Sequence, residues 1–181
     1  LKYNRSPNEC VWVVDKGRSL LKCDFKISSK TTLNINGQDY TIASIPEGSE
    51  VFHATLIYDG GIWFDHQPPM NSQHGIVWFT STQKHAENIN HTHILKYTTR
   101  EKLNVIFEQN LTATYNENIR GYEYATTLRD IMRGIREKYD IILDGYVGCN
   151  ECELGLTNVA VRDKINPRPI IVKTLEMRYI D

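Results

Sequence analysis

A chain of 181 residues, 40% hydrophobic and 24% charged, is long enough for one domain with its own core and too apolar to be a disordered chain. Its formal net charge of -1 excludes a global basic field, so a nucleic-acid partner would have to be met by a local patch. No apolar run approaches the roughly 18 residues that span a bilayer, and no membrane partner is expected.

The chain opens LKYNRSPNEC, with neither an initiator Met nor an apolar signal core, and reads as a trimmed or processed product. Its four cysteines, Cys10, Cys23, Cys149 and Cys152, are too sparse for a disulfide scaffold at this length. They favour a reducing, intracellular (cytoplasmic) compartment, with a secreted effector as the other option. The sequons at Asn4, Asn90 and Asn110 matter only in the secreted case.

Short runs rich in β-branched and aromatic residues dominate the first half. VWVV (11–14), TLNING (32–37), DYTIASI (39–45), EVFHATLIY (50–58) and GIVWFTS (75–81) are predicted strands. Asn36-Gly37 predicts a hairpin turn. The segment DGGIWFDHQPPMNSQHG (59–75) lacks periodicity, joins two strong strands and reads as a lid or binding loop.

A short helix, STQKHAENI (81–89), follows with Ser81 as its N-cap. HILKYTT (93–99) and LNVIFEQ (103–109) are strands. ATTLRDIMRGIREKYD (125–140) is a helix, because Leu128, Ile131, Met132 and Ile135 recur on one face; Thr126 or Thr127 would cap it. Its Arg129, Arg133 and Arg136 form a basic stripe that reads as a solvated face. DIILDGYV (140–147), ELGLTNVAV (153–161) and PIIVKTLEMRYI (169–180) complete the predicted strands. Strands outnumber helices without alternating with them, so the expected class is α+β with a twisted, mostly antiparallel core. There is no GxGxxG and no Walker motif.

Three places carry chemistry in a telling order. Val51-Phe52-His53-Ala54-Thr55 puts a His near a strand end. Gly75-Ile76-Val77-Trp78-Phe79 runs into Ser81-Thr82 and a helix. Glu151-Cys152-Glu153 sets two carboxylates on one face of a strand start. This series resembles the ADP-ribosyltransferase superfamily: a His motif of the His-Tyr-Glu class, then G-I-Y-F, then [QE]-x-E. Val77 is an extra residue in the second motif, and Trp78 stands where the Tyr would be. Ser81-Thr82 also resembles the Ser-Thr-Ser motif of the Arg-Ser-Glu class. The helix and Asp144-Gly145-Tyr146 that precede the third motif match a recurrent family arrangement. The resemblance covers about residues 50–172.

What the resemblance implies is a single domain with an ADP-ribosyltransferase-like split β-sandwich of mostly antiparallel strands and a few flanking helices. Residues 46–181 would be the catalytic core and residues 1–45 an extension packed on it. NAD would be the substrate, and ADP-ribose would pass to an acceptor, a protein more readily than a nucleic acid, or to water. Glu153 would grip the nicotinamide-ribose 2′-OH, and Glu151 would orient or deprotonate the acceptor, an ExE pair favouring mono-ADP-ribosylation. His53, Ala54, Thr55, Trp78, Phe79, Ser81 and Thr82 would line the NAD site, with His53 on the adenosine-side ribose. Trp78, Phe79 or Tyr122 would stack on nicotinamide. The chemistry suits these groups, because cleavage of the nicotinamide–ribose bond develops oxocarbenium charge that a carboxylate stabilises. Trp78 and Phe79 alternate across a strand, so at least one of them belongs to the core.

Two rival readings use the same stretch. Cys149 and Cys152 form one half of a zinc knuckle, but Cys10 and Cys23 do not supply the other half, and His91-x-His93 would have to join instead. A thioredoxin-like role would need the CxxC at a helix start, and here it precedes a strand. The alternative in a different class is a catalytically inactive binding module of the same fold, for which the extra Val77 and the Trp in place of Tyr argue.

Overall fold

The computed structural model describes residues 14–15, 18–19, 25–28, 30–55, 76–87, 93–107, 121–148 and 153–174. Its strands are β1 (Val14–Asp15), β2 (Arg18–Ser19), β3 (Thr31–Ile35), β4 (Gln38–Ile45), β5 (Glu50–Thr55), β6 (Ile76–Thr80), β7 (His93–Thr98), β8 (Leu103–Phe107), β9 (Gly145–Gly148), β10 (Glu153–Thr157) and β11 (Ile170–Thr174). Its helices are α1 (Gln83–Glu87), α2 (Gly121–Tyr139) and α3 (Asn158–Lys164).

Nine strands make one sheet in the order β11-β7-β5-β6-β10-β9-β8-β4-β3, and β1 and β2 pair with each other. Every ladder of that sheet is antiparallel except β8 with β9. The class is therefore the α+β expected, with a mixed but mostly antiparallel sheet. The β3–β4 hairpin of the N-terminal segment enters this sheet as its last two strands, β4 pairing with β8. Its turn uses Asn36 and Gly37 at φ 51° and 84°, positive at both positions as a two-residue hairpin of right-handed twist requires.

Strand alternation sorts the core onto two faces. Val51, Val77, Phe79, Leu95, Tyr97 and Leu154 point to one face, where Ala160, Val161 and Ile165 of the α3 region cover them. Ile42, Ile76, Ile106 and Tyr146 point to the other, under the Leu128, Ile131 and Ile135 stripe of α2. The apolar stripe predicted for that helix is thus its buried face. The helix itself starts at Gly121, so Thr126 and Thr127 lie inside it rather than capping it. α1 covers Phe52 and Ile94 through Ala86 on this second face.

Three further expectations are corrected. ELGLTNVAV does not stay extended: β10 ends at Thr157, whose side-chain oxygen accepts the Ala160 N–H at 3.1 Å and starts α3. The predicted strand 140–147 shrinks to Gly145–Gly148. Asp140, at φ 58°, turns the chain out of α2, and Asp144 then ties the connecting segment down. The cap of α1 is Thr82, not Ser81: Thr82 Oγ1 accepts the His85 N–H at 3.2 Å, while Ser81 is buried at the end of β6.

Candidate functional site

The three motif strands are consecutive in the sheet, β5 with His53, β6 with Trp78 and β10 with Glu153. Glu153 opens β10 directly opposite Thr80 of β6 and Gly148 of β9. It is 0% exposed, a rare position for a glutamate, whose charge is costly to remove from water. Trp78 lies two residues along β6 from Thr80 and so is the diagonal neighbour of Glu153 on the same face. Such positions are about 7–8 Å apart, within reach of an aromatic side chain.

His53 takes the alternate face, opposite Leu95, with its ring 5.5 Å from that of Phe79. Its position is set by a break in the ladder. β5 pairs with β7 from Glu50 to Thr55, and β6 pairs with β10 from Ile76 to Thr80, but the pairing described between β5 and β6 is Phe52 with Thr80. Where that ladder stops, His53 Nδ1 lies 2.7 Å from the Trp78 carbonyl oxygen. A carbonyl only accepts, so Nδ1 carries the proton and donates it. One imidazole thus does for the backbone of β6 what the next ladder bond would have done.

The remaining predicted residues divide. Ala54 is half-buried beside Phe52, and Thr55 ends β5 with its backbone opposite His93. Phe79 is a core residue, edge-on to Tyr97 at 5.8 Å. Thr82 is engaged at the helix cap, its hydroxyl 2.6 Å from His85 Nδ1. Ser81 Oγ is buried and has no hydrogen-bond partner among the described residues. Glu151, the predicted loop 59–75 and all four cysteines lie outside the described residues. So does the side chain of Tyr122.

Three residues of this face have no site role in the sequence reading, although Tyr146 belongs to the Asp144-Gly145-Tyr146 run noted there. Thr80 faces Glu153, and its hydroxyl donates to the Thr82 carbonyl at 2.8 Å, which leaves its oxygen lone pairs as acceptors. Tyr146 is 0% exposed and stands edge-on to Trp78, ring centres 5.2 Å apart. Gly155 lies between them in register, paired with Trp78 on one side and Tyr146 on the other. A glycine inside the strand ELGLT was the available signal, since it often marks a close approach.

Below the site, Asp144 forms a buried clamp. Its Oδ2 accepts the Asn104 N–H at 2.8 Å and Lys164 Nζ at 2.9 Å, while its carbonyl accepts the Thr157 N–H at 2.9 Å. Next to the clamp, a cleft of about 780 Å³ runs between β4, β8, the 140–144 segment and α3, with Ile142 and Val159 exposed in its lining. None of the predicted site residues lines it. Among the described residues, no group of three or more His, Cys, Asp or Glu is placed to hold a metal ion, and no helix is long and apolar enough to cross a membrane.

Fold and site together define a mostly antiparallel α+β domain with a buried carboxylate set beside an aromatic pair. A scan of family models finds no match to the chain, and neither curated proteins nor solved structures match it.

Proposed function

We propose that this chain is an NAD-dependent mono-ADP-ribosyltransferase with an ADP-ribosyltransferase-like split β-sandwich fold. The observation that carries the reading is the placement of Glu153, fully buried at the head of β10, diagonal to Trp78 and one strand away from the strand that His53 ties to β5. A carboxylate in that position serves a reaction that develops positive charge on a sugar. The nicotinamide ring stacks on Trp78, and Glu153 accepts a hydrogen bond from the ribose 2′-OH beside it. The bond from ribose C1′ to the nicotinamide nitrogen breaks, and nicotinamide leaves with the electron pair. The acceptor forms the new bond to C1′ and gives up its proton, to Glu151 on this reading.

The two ends of NAD fall on either side of the place where β5 and β6 part. The nicotinamide end lies on the Glu153 face, and His53 anchors the adenosine-side ribose hydroxyls. The protein is expected to work inside the cell, on a protein acceptor or on water.

A non-catalytic module of the same fold is the second reading, favoured by the packing of Trp78 against Tyr146 and the α2 core. Incubation with NAD and candidate acceptors, followed by mass spectrometry of each, separates the two. Transfer adds one ADP-ribose unit to an acceptor, and hydrolysis yields free ADP-ribose. Unchanged NAD and unchanged acceptors would leave the binding module standing.

A further inference from the structure

We propose that Tyr146 is a positioning residue for the NAD site, holding the Trp78 indole in the plane against which nicotinamide stacks; this rests on the NAD reading above. Trp78, Gly155 and Tyr146 are directly opposite one another across β6, β10 and β9, so all three are directed to one face. Neighbouring strands lie about 4.8 Å apart, so the outer two of three are separated by about 9–10 Å. Two rings on those strands can meet at a centroid distance of 5.2 Å only by leaning together over the strand between them. Gly155 is what permits it. A Cβ there would stand 2.6 Å from Tyr146 Cε1, 3.0 Å from Ile76 Cγ2 and 3.1 Å from Tyr146 Cζ, so the tyrosine ring, with Ile76 beside it, occupies the space that any side chain would need.

The geometry of the pair is the favourable one. The rings are 88° to each other, edge against face, the arrangement in which the positive edge of one ring meets the negative face of the other. Tyr146 is 0% exposed and belongs to the core cluster under α2, so it is the fixed member. Trp78 is half-buried and packs on that cluster from its margin. Glu153 lies two residues along β10 from Gly155, on this same face. The glycine of ELGLT and the tyrosine of DGYV therefore act as one device, and neither has to touch the reacting atoms.

Steady-state kinetics of nicotinamide release by the full chain test this. Tyr146→Phe keeps the ring and leaves the KM for NAD within about twofold of wild type. Tyr146→Leu raises KM about fivefold, the worth of one aromatic pair, with kcat little changed. Gly155→Ala, which displaces the far end of the Tyr146 ring and presses on Ile76 Cγ2, raises KM in the same way and serves where the leucine variant folds poorly. In a Trp78→Leu background, Tyr146→Leu adds no further increase, because the residue it positions is gone.

An unchanged KM in both Tyr146→Leu and Gly155→Ala overturns the proposal. So does a fall in kcat at constant KM, which marks a purely structural residue, and so does additivity in the double variant. A wild-type chain that neither binds NAD by calorimetry nor releases nicotinamide overturns the functional reading and this inference together. Wild-type activity with an insensitive KM overturns the inference alone.

Discussion

Replacing Asp144 by alanine tests the clamp beneath the site. The side chain is 5% exposed and its partner Lys164 is 23% exposed, so the pair is buried on one side and partly hydrated on the other. Breaking a fully buried ion pair costs about 3–5 kcal/mol, because the surviving charge is stranded. The ammonium of Lys164 can turn toward water and still donates to the Lys102 carbonyl at 3.3 Å, which lowers that term. The Asn104 N–H loses its acceptor as well, a penalty of about 1–3 kcal/mol for a buried donor. The two losses overlap in one carboxylate, and we expect a net destabilisation of about 2–4 kcal/mol. Asp144→Asn keeps an acceptor for Asn104 and should cost about half as much. Equilibrium unfolding in urea measures both, the midpoint moving while the slope is unchanged. A loss under about 0.5 kcal/mol for Asp144→Ala, the range of an ordinary surface change, would refute the clamp.

Three more outcomes are expected. Gly145→Ala should destabilise the chain by more than about 3 kcal/mol or prevent folding, because its Cβ would overlap the Gly155 carbonyl, which cannot move without breaking the β9–β10 ladder; soluble yield and urea unfolding report it. The buried hydroxyl of Tyr97 is held above the ordinary tyrosine range by loss of hydration, and burial raises Tyr40 in the same direction. A raised folded-state pKa means stability is complete below about pH 10 and falls above it, where the unfolded chain releases protons first. Ultraviolet titration should find Tyr97 silent until the fold is lost, and Tyr97→Phe, which removes a hydroxyl without a partner among the described residues, should flatten the alkaline decline. His53→Ala should raise the KM for NAD about tenfold, the worth of one good hydrogen bond, with little change in kcat; an equal fall in kcat would place His53 at the chemistry instead.

Local signals carried most of the fold. The Asn36-Gly37 turn was legible because few residue pairs adopt two positive φ values, and the α2 stripe because Leu128, Ile131 and Ile135 repeat at helical spacing. α3 was not legible, because Asn158-Val159-Ala160-Val161 is β-branched at alternate positions and only the Thr157 cap turns it into a helix. Nor was the parting of β5 from β6, since nothing in VFHAT or GIVWFT says that a ladder between them stops at Phe52 and Thr80. The candidate site was half legible. Residue types at motif spacing singled out His53, Trp78 and Glu153, but their division between two faces depends on pairing register, which is a long-range property. The places of Thr80, Tyr146 and Gly155 beside Glu153 and Trp78 were not legible for the same reason: each acquires its meaning from the residue opposite it on the next strand.

The most direct measurement is the release of nicotinamide from NAD by the wild-type chain beside Glu153→Gln, which keeps the side-chain size and removes the charge. Steady release is expected from the wild type, and a loss of at least about 100-fold in kcat from the variant, the scale of removing one preorganised electrostatic group from a transition state. Equal release by both, or none by the wild type, would contradict it.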